Sequence, residues 1–300
     1  MKISKTPEYI SPSSFKEWIA CQYKFYKRRM ENLTPPSNIQ GGPAAVGCAF
    51  DAYLTRAIAV NKGLGDDPQY DLDKLLKDSI HEYNLELATQ HGRELFVVYV
   101  NLGCFDELLK EDITVVHPGH RTLLTVNGKD LPVLGYPDAV ISDGTPLDYK
   151  VNGALSKTGQ SPKPGYYRSI CLSNKIKVHP DKDKYLEEID YDWALQLTIY
   201  NWQMSGVYPW RELKARIEQV AIRGNNIVVA SFNNKISIPF QQQLFEDLHN
   251  AWGKINKGEI EIPKPSKMKC MAFNQLCEFA SDCAEYQKII NNPALKDIFF

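Results

Sequence analysis

The chain has 300 residues, 43% of them hydrophobic and 24% charged, proportions of an ordinary globular protein long enough to bury one large core or two small ones. Its 35 Lys and Arg against 36 Asp and Glu leave a formal net charge of −1, which excludes a uniformly basic nucleic-acid coat, so any such contact must come from a local patch. No apolar run reaches the length of a membrane span and residues 1–14 hold no apolar signal core, so a cytoplasmic location without a membrane partner is expected, and there the seven cysteines argue against a disulfide framework.

The first third reads as helix. Ser14 with Glu17 three residues on has the pattern of a capping box, and Phe15, Trp18 and Ile19 open an apolar stripe. The same helix is expected to carry Lys24, Lys27, Arg28 and Arg29 among Tyr23, Phe25 and Tyr26. Cations interleaved with aromatics suit a single nucleic-acid strand, although a solvated face with rings turned inward has the same composition. A second helix is predicted over residues 43–60, and two more over about 71–110, broken near Gly92 and Gly103.

Short β-branched runs follow at 113–116 and 121–126, and Asn127-Gly128 is a strong hairpin turn. One strand is predicted over 131–141 and another over 147–151, making an antiparallel meander in the middle of the chain. Residues 154–187 are polar and proline-bearing and read as a long surface loop, whose Lys157, Lys163, Arg168, Lys175 and Lys177 offer a second basic patch. A helix over 191–204, strands over 212–222 and 227–232, a helix over 240–255 and an irregular cysteine-bearing tail from Pro263 complete the chain. The alternation predicts an α/β fold with a mixed sheet flanked by helices. It also predicts one domain over 1–300, divided into a helical region (1–110), a core (111–262) and a tail (263–300) packed with the helix around Cys21.

The chemistry concentrates at Gly135-Tyr136-Pro137-Asp138 and, ten positions after that aspartate, Asp148-Tyr149-Lys150. Asp148 and Lys150 are two apart and share a face on a strand; Asp138 can lie opposite them on a partner strand. Two carboxylates suit a hard cation such as Mg²⁺ or Mn²⁺, and a lysine beside them can offset charge growing on a phosphate. A cross-strand salt bridge would leave the same signature. Gln196 and Tyr200, at i and i+4, share a helix face, as a bland buried pair also would. Asp51, on the predicted helix after Gly47, is a third candidate metal ligand or a solvated acid. Cys270, Cys277 and Cys283, with Cys21 far upstream, are spaced too widely for an ordinary zinc site; a cubane iron–sulfur cluster accepts such spacing, and buried free thiols are the alternative.

In this order the elements resemble the RecB-like branch of PD-(D/E)xK nucleases, which includes AddB-type and CRISPR-associated iron–sulfur exonucleases and phage relatives. The resemblance runs from Ser11 to Cys283. It implies a restriction-endonuclease-like core with a C-terminal cysteine cluster, and a Mg²⁺- or Mn²⁺-dependent deoxyribonuclease, exonuclease rather than endonuclease, acting on single-stranded or end-containing DNA in recombination, repair or phage DNA metabolism. The setting would be a bacterial or phage-infected cell, with DNA and other recombination or replication proteins as partners. It further implies Asp51, Asp138, Asp148 and the Tyr149 carbonyl as metal ligands, Lys150 as catalytic lysine, Gln196 and Tyr200 as supports, and a [4Fe–4S] cluster on Cys21, Cys270, Cys277 and Cys283, with Zn²⁺ or no cluster as the alternative. The chain departs from the family in three places. Asp51 stands where many members have His, Asp148 stands where Glu is commoner, and the first gap of the cysteine trio is long. A nuclease-fold module that binds DNA without cutting it, or a scaffold subunit, would carry the same residues to a different end.

Overall fold

In a computed structural model of the full chain, the residues described are 5–33, 41–116, 120–155, 167–172, 175–180, 185–188, 190–223, 226–262, 270–272 and 275–291. They gather into two compact units, one of Met1–Asn38, Arg121–Leu134 and Gln243–Phe300, the other of Ile39–His120 and Gly135–Gln242. No helix among the described residues is long and apolar enough to cross a membrane.

The second unit is α/β, a mixed seven-stranded sheet flanked by helices. Its helices are α3 (Gly42–Asn61), α4 (Leu72–Ser79), α5 (Glu82–Asn101), α6 (Cys104–Leu109) and α7 (Tyr191–Ser205). Its strands are β1 (Ile113–Val116), β4 (Ala139–Ile141), β5 (Pro146–Asn152), β6 (Tyr167–Leu172), β7 (Lys175–Pro180), β8 (Leu213–Arg223) and β9 (Asn226–Ile236), in the spatial order β1-β4-β5-β8-β9-β6-β7. Only β5 and β8 run parallel; every other neighbouring pair is antiparallel. The parallel pair needs a crossover, and α7 lies within it.

Small residues decide how the helices pack. Gly92, expected to break a helix, sits in the middle of α5, where a Cβ would lie 2.9 Å from the backbone of Ala49 and Phe50 on α3. A glycine that looks like a breaker in sequence is here the contact point of two crossing helices. The break falls instead at Ile80 and His81, where the backbone is extended, while Gly103 does end α5, at φ +74°. Phe50, Leu54, Tyr99, Leu147 and Tyr149 lie in one core between these helices and β5. Alternation then turns Asp148 and Lys150 to the other face of β5, toward α7. The long loop expected over 154–187 is a correction: β6 and β7 form an antiparallel pair there and extend the sheet through β9. Lys157 and Lys163 lie outside the described residues.

The first unit holds α1 (Pro12–Ala20), α2 (Gln22–Phe25), a π-turn (Tyr26–Met30), the hairpin of β2 (His120–Val126) and β3 (Lys129–Gly135), most of α8 (Ile238–Lys257), a short pair β10 (Met271–Ala272) and β11 (Gln275–Leu276), and α9 (Ala284–Ile290). The helix start differs from expectation. Ser11 is the N-cap, accepting the Ser14 N–H at 3.2 Å while Ser14 Oγ accepts the Ser11 N–H at 2.7 Å. Pro12 suits the first helical turn, so the helix begins three residues early. It also stops early: extended Cys21 ends α1 and caps α2, its sulfur accepting the Lys24 N–H at 3.5 Å. Asn127 and Gly128 have φ of +52° and +75°, the left-handed pair that a two-residue hairpin turn requires. The run expected as one strand over 131–141 is two, β3 and β4, interrupted at 136–138.

Candidate active site

Asp138 lies in that interruption, immediately before β4. Since Ala139 pairs with Leu147, Asp138 falls beside Asp148 on the neighbouring strand. Its Oδ2 accepts the Tyr149 N–H at 2.7 Å. Asp148 is buried, with 4% of its side chain exposed, and Lys150 closes on it in a direct ion pair. From the helix side, Gln196 reaches both: its amide donates to Asp148 Oδ1 at 3.2 Å, and its carbonyl oxygen accepts from Lys150 Nζ at 3.4 Å. The same amide donates to the Tyr200 hydroxyl oxygen at 2.7 Å. The structure thus joins Asp148, Lys150, Gln196 and Tyr200 in one hydrogen-bonded chain, with Asp138 beside it on the Tyr149 N–H.

Asp51 joins this group electrostatically from α3. Burial first, then Asp138, holds its carboxyl well above the usual range, and Lys150 acts against that. Its Oδ1 is enclosed and has no hydrogen-bond donor. Burial and the Asp148 charge push Asp138 up to about 7, with Lys150 and the Tyr149 N–H pulling the other way. Burial works against the Lys150 charge, but Asp148, Asp138 and Asp51 outweigh it and keep the ammonium protonated above the ordinary lysine value. Tyr200 is raised by burial and by the two aspartates, so it stays a neutral phenol. Among the described residues, no group of three or more His, Cys, Asp or Glu side chains is gathered as a metal site would gather them. The three acids feel each other's charge, but Lys150, not a common centre, takes Asp148.

Three features here escape a reading of the motifs. Gly135 ends β3 against α7: a Cβ there would lie 2.7 Å from the Tyr200 ring, and it would also overlap the Gln203 side chain. Asn152, two residues past Lys150 on the same face, donates to fully buried Gln219 at 2.7 Å. Opposite, Glu218 is buried among Tyr99, Ser231 (2.7 Å) and Arg216 (3.2 Å) beneath Tyr149. The signal for the last was present in Arg216-x-Glu218, a charged pair on one face of a strand that also carries Ala215, Ile217 and Val220.

The remaining candidates lie in the first unit. Cys21, Cys270, Cys277 and Cys283 are all half-buried there. Cys277 N–H donates to the Cys270 carbonyl at 2.7 Å, and the three tail thiols pack on Ala280 and Tyr286. Burial mainly raises Cys277, with Cys21 among the smaller contributors. Lys24, Lys27, Arg28 and Arg29 face carboxylates of their own unit: Lys24 meets Glu278 at 3.3 Å, Lys27 meets Glu31 at 2.8 Å, and Arg28 and Arg29 share Glu17 at 2.9 and 3.0 Å. Arg28 also pairs with Glu278, and Tyr23 donates to the Asp282 carbonyl at 2.8 Å. These contacts fasten the cysteine tail to the helix that follows Cys21.

No family model and no curated protein matches this chain. Among solved structures, the crystal structure of SSO0001 aligns over 91% of this chain and 97% of that one, at 15% identity and a TM-score of 0.30, an overlap too slight to carry an argument.

Proposed function

We propose that the chain is a metal-dependent DNA nuclease of the RecB-like PD-(D/E)xK kind, an exonuclease by preference, with a restriction-endonuclease-like core in the second unit. One observation carries the reading. Asp148 and Lys150 of a buried strand meet the Gln196–Tyr200 pair of a helix, and Asp138 is tied to that same strand by the Tyr149 N–H. An incidental salt bridge needs neither the burial nor the contacts from α7. A buried set of acids that repel one another is a stability cost of the kind found at functional sites.

The donor chemistry suits a hard divalent cation, with three carboxylates within electrostatic reach and one enclosed oxygen lacking a donor, although the side chains are not drawn around a common centre. Asp51, Asp138 and Asp148 would hold Mg²⁺ or Mn²⁺, with the Tyr149 carbonyl as a backbone ligand. Such a cation, when bound, polarises a phosphoryl oxygen and acidifies a water. The chain's own residues supply the rest. The Tyr149 N–H fixes one oxygen of Asp138 and so orients the other. Lys150 keeps its proton and sets positive charge where phosphate oxygens gain negative charge in the transition state. Gln196 holds the Lys150–Asp148 pair, carbonyl to the ammonium and amide to the carboxylate. Tyr200 is a fixed polar support rather than a base.

The same reading gives Cys21, Cys270, Cys277 and Cys283 a [4Fe–4S] cluster, with Zn²⁺ or no group as the alternative. Their thiol chemistry and their membership of one unit support it, although the four thiols are not gathered around a common centre. DNA is the partner, with recombination or replication proteins beside it. The cations at Lys24, Lys27, Arg28 and Arg29 enter more weakly, because carboxylates of the chain already engage them. A second reading, a module that binds DNA without cutting it, draws on the direct Lys150–Asp148 contact and on Asp51 in place of histidine.

The test is cleavage of end-labelled single-stranded and duplex DNA with Mg²⁺ or Mn²⁺, beside Lys150→Ala and Asp148→Ala. Metal-dependent loss of label that both substitutions abolish supports the nuclease, and the label pattern gives polarity. A wild-type chain that binds DNA but leaves every form intact would favour the second reading.

A further inference from the structure

The second unit presents an aromatic side chain beside the acid cluster to which no role has been given. Tyr136 lies between Gly135, jammed against α7, and Pro137-Asp138. Its side chain stands out from an otherwise enclosed centre: Tyr136 is 49% exposed, whereas Tyr149 and Tyr200 are 4% and 5% exposed. The backbone beneath it is constrained twice. Gly135 permits the close approach to Tyr200, and Pro137 restricts the preceding residue to extended conformations. Tyr136 and Asp138 are two residues apart, so their Cα atoms are separated by at most about 7 Å.

We propose that Tyr136 is a base-stacking residue, which takes the face of the unpaired nucleobase beside the phosphate held at Asp138, Asp148 and Lys150. This rests on the nuclease reading for the position of the phosphate, and it names the residue that would select single strands and frayed ends over closed duplex. Three physical reasons favour it. A tyrosine offers a large flat face with few rotatable bonds, and a backbone already fixed lowers the entropy lost on stacking. Base–aromatic stacking is indifferent to sequence, as a nuclease without sequence specificity needs. In a closed duplex both faces of an internal base are covered by its neighbours, so the ring can engage only a base that has left the stack.

The experiment uses the full-length chain with Ca²⁺ in place of Mg²⁺ or Mn²⁺, an oxygen-binding cation that neutralises the acids, and intact label at the end of each titration shows that binding is read without cleavage. Affinity for a fluorescent oligothymidylate and for a blunt duplex of equal length is measured for the wild type, Tyr136→Ala and Tyr136→Phe. Expected is a loss of about tenfold or more on the single strand for Tyr136→Ala, less than twofold on the duplex, and retention by Tyr136→Phe, which keeps the ring. Matching circular dichroism and thermal midpoints check that the alanine variant folds. Equal losses on both DNA forms, an unchanged single-strand affinity, or a phenylalanine variant as weak as the alanine one would overturn the proposal, as would a wild type that binds neither form. Cleavage by the wild type in Mn²⁺, run in parallel, tests the nuclease reading by itself. A chain that stacks through Tyr136 yet never cuts loses that reading and keeps this one; a chain that cuts and ignores Tyr136→Ala does the reverse.

Discussion

Two charged clusters of this molecule are built on opposite plans. Around Glu17 and Glu278 in the first unit, Lys24, Arg28 and Arg29 each meet a carboxylate. Around Asp138 in the second unit, three acids share one lysine, and an Asp51 oxygen is enclosed without a donor. Burial raises Glu278, but its own backbone N–H, Lys24 and Arg28 outweigh that and leave it below its ordinary value. Asp138 goes up to about 7. The first cluster has its charge balance within the chain and reads as a fastening. The second is left unbalanced, and imbalance in a buried place points to something brought from outside.

Predictions can break that contrast, and the largest effect is on activity. Lys150→Ala should lower DNA cleavage by roughly 100-fold or more, the scale for removing a group that meets transition-state charge, and, by leaving three acids without their cation, lower the metal-free thermal midpoint as well, a loss that Mn²⁺ should offset without restoring cleavage. Cleavage that returns with the midpoint would make Lys150 a structural ion-pair partner. Next comes metal. Mn²⁺ at about 100 times its dissociation constant should stabilise the wild type by about 2.7 kcal/mol, and Asp138→Asn should lose that gain. Calorimetric or fluorescence melts that ignore Mn²⁺ would remove the argument for a cation at these acids.

The two carboxylates should also differ in the sign of their pH dependence. Asp138 is raised from 3.8, so its contribution is fully present below that value and is lost as pH climbs through about 7. The metal-free chain should therefore weaken over that window, less so in Asp138→Asn. Glu278 is lowered from 4.5, so its contribution is present above that value and fades as pH falls through its lower folded value. Glu278→Gln should flatten the acid side of the profile. Denaturant melts at a series of pH values check both, and the same slope for both variants would erase the distinction. Gly92→Ala should cost about 1–3 kcal/mol, because α3 backbone stands where the methyl would go. Smallest of all, Arg29→Ala on an outlying pair, with 42% of its side chain exposed, should change stability by less than about 1 kcal/mol.

The parts of this fold legible in the sequence are those with a local cause. Asn127-Gly128 announces its hairpin because only certain residues accept two successive positive φ angles, and Asp148-x-Lys150 announces a shared face because a strand alternates. What was hidden depends on partners distant in sequence. Gly92 looks like a helix breaker until Ala49 is placed against it, and Gly135 looks like any strand position until Tyr200 fills the space beside it. Glu17 reads as a capping residue for Ser14, whereas it receives Arg28 and Arg29. The candidate centre was half legible. The two motif strands can be read from spacing, but the way Gln196 links the lysine to the aspartate depends on where α7 crosses them. The strands β6 and β7 were missed because polar, proline-bearing sequence carries little period-two signal.

The parallel pairing of β5 with β8, in which Lys150 sits opposite Gln219, has a consequence for how the protein is made. The strand bearing Asp148 and Lys150 leaves the ribosome long before its partner. At roughly 5–20 residues per second, the wait is on the order of ten seconds. Until α7 and β8 arrive, the lysine and the acids belong to an unfinished sheet that lacks Gln196, so the complete centre forms only after both elements have been made.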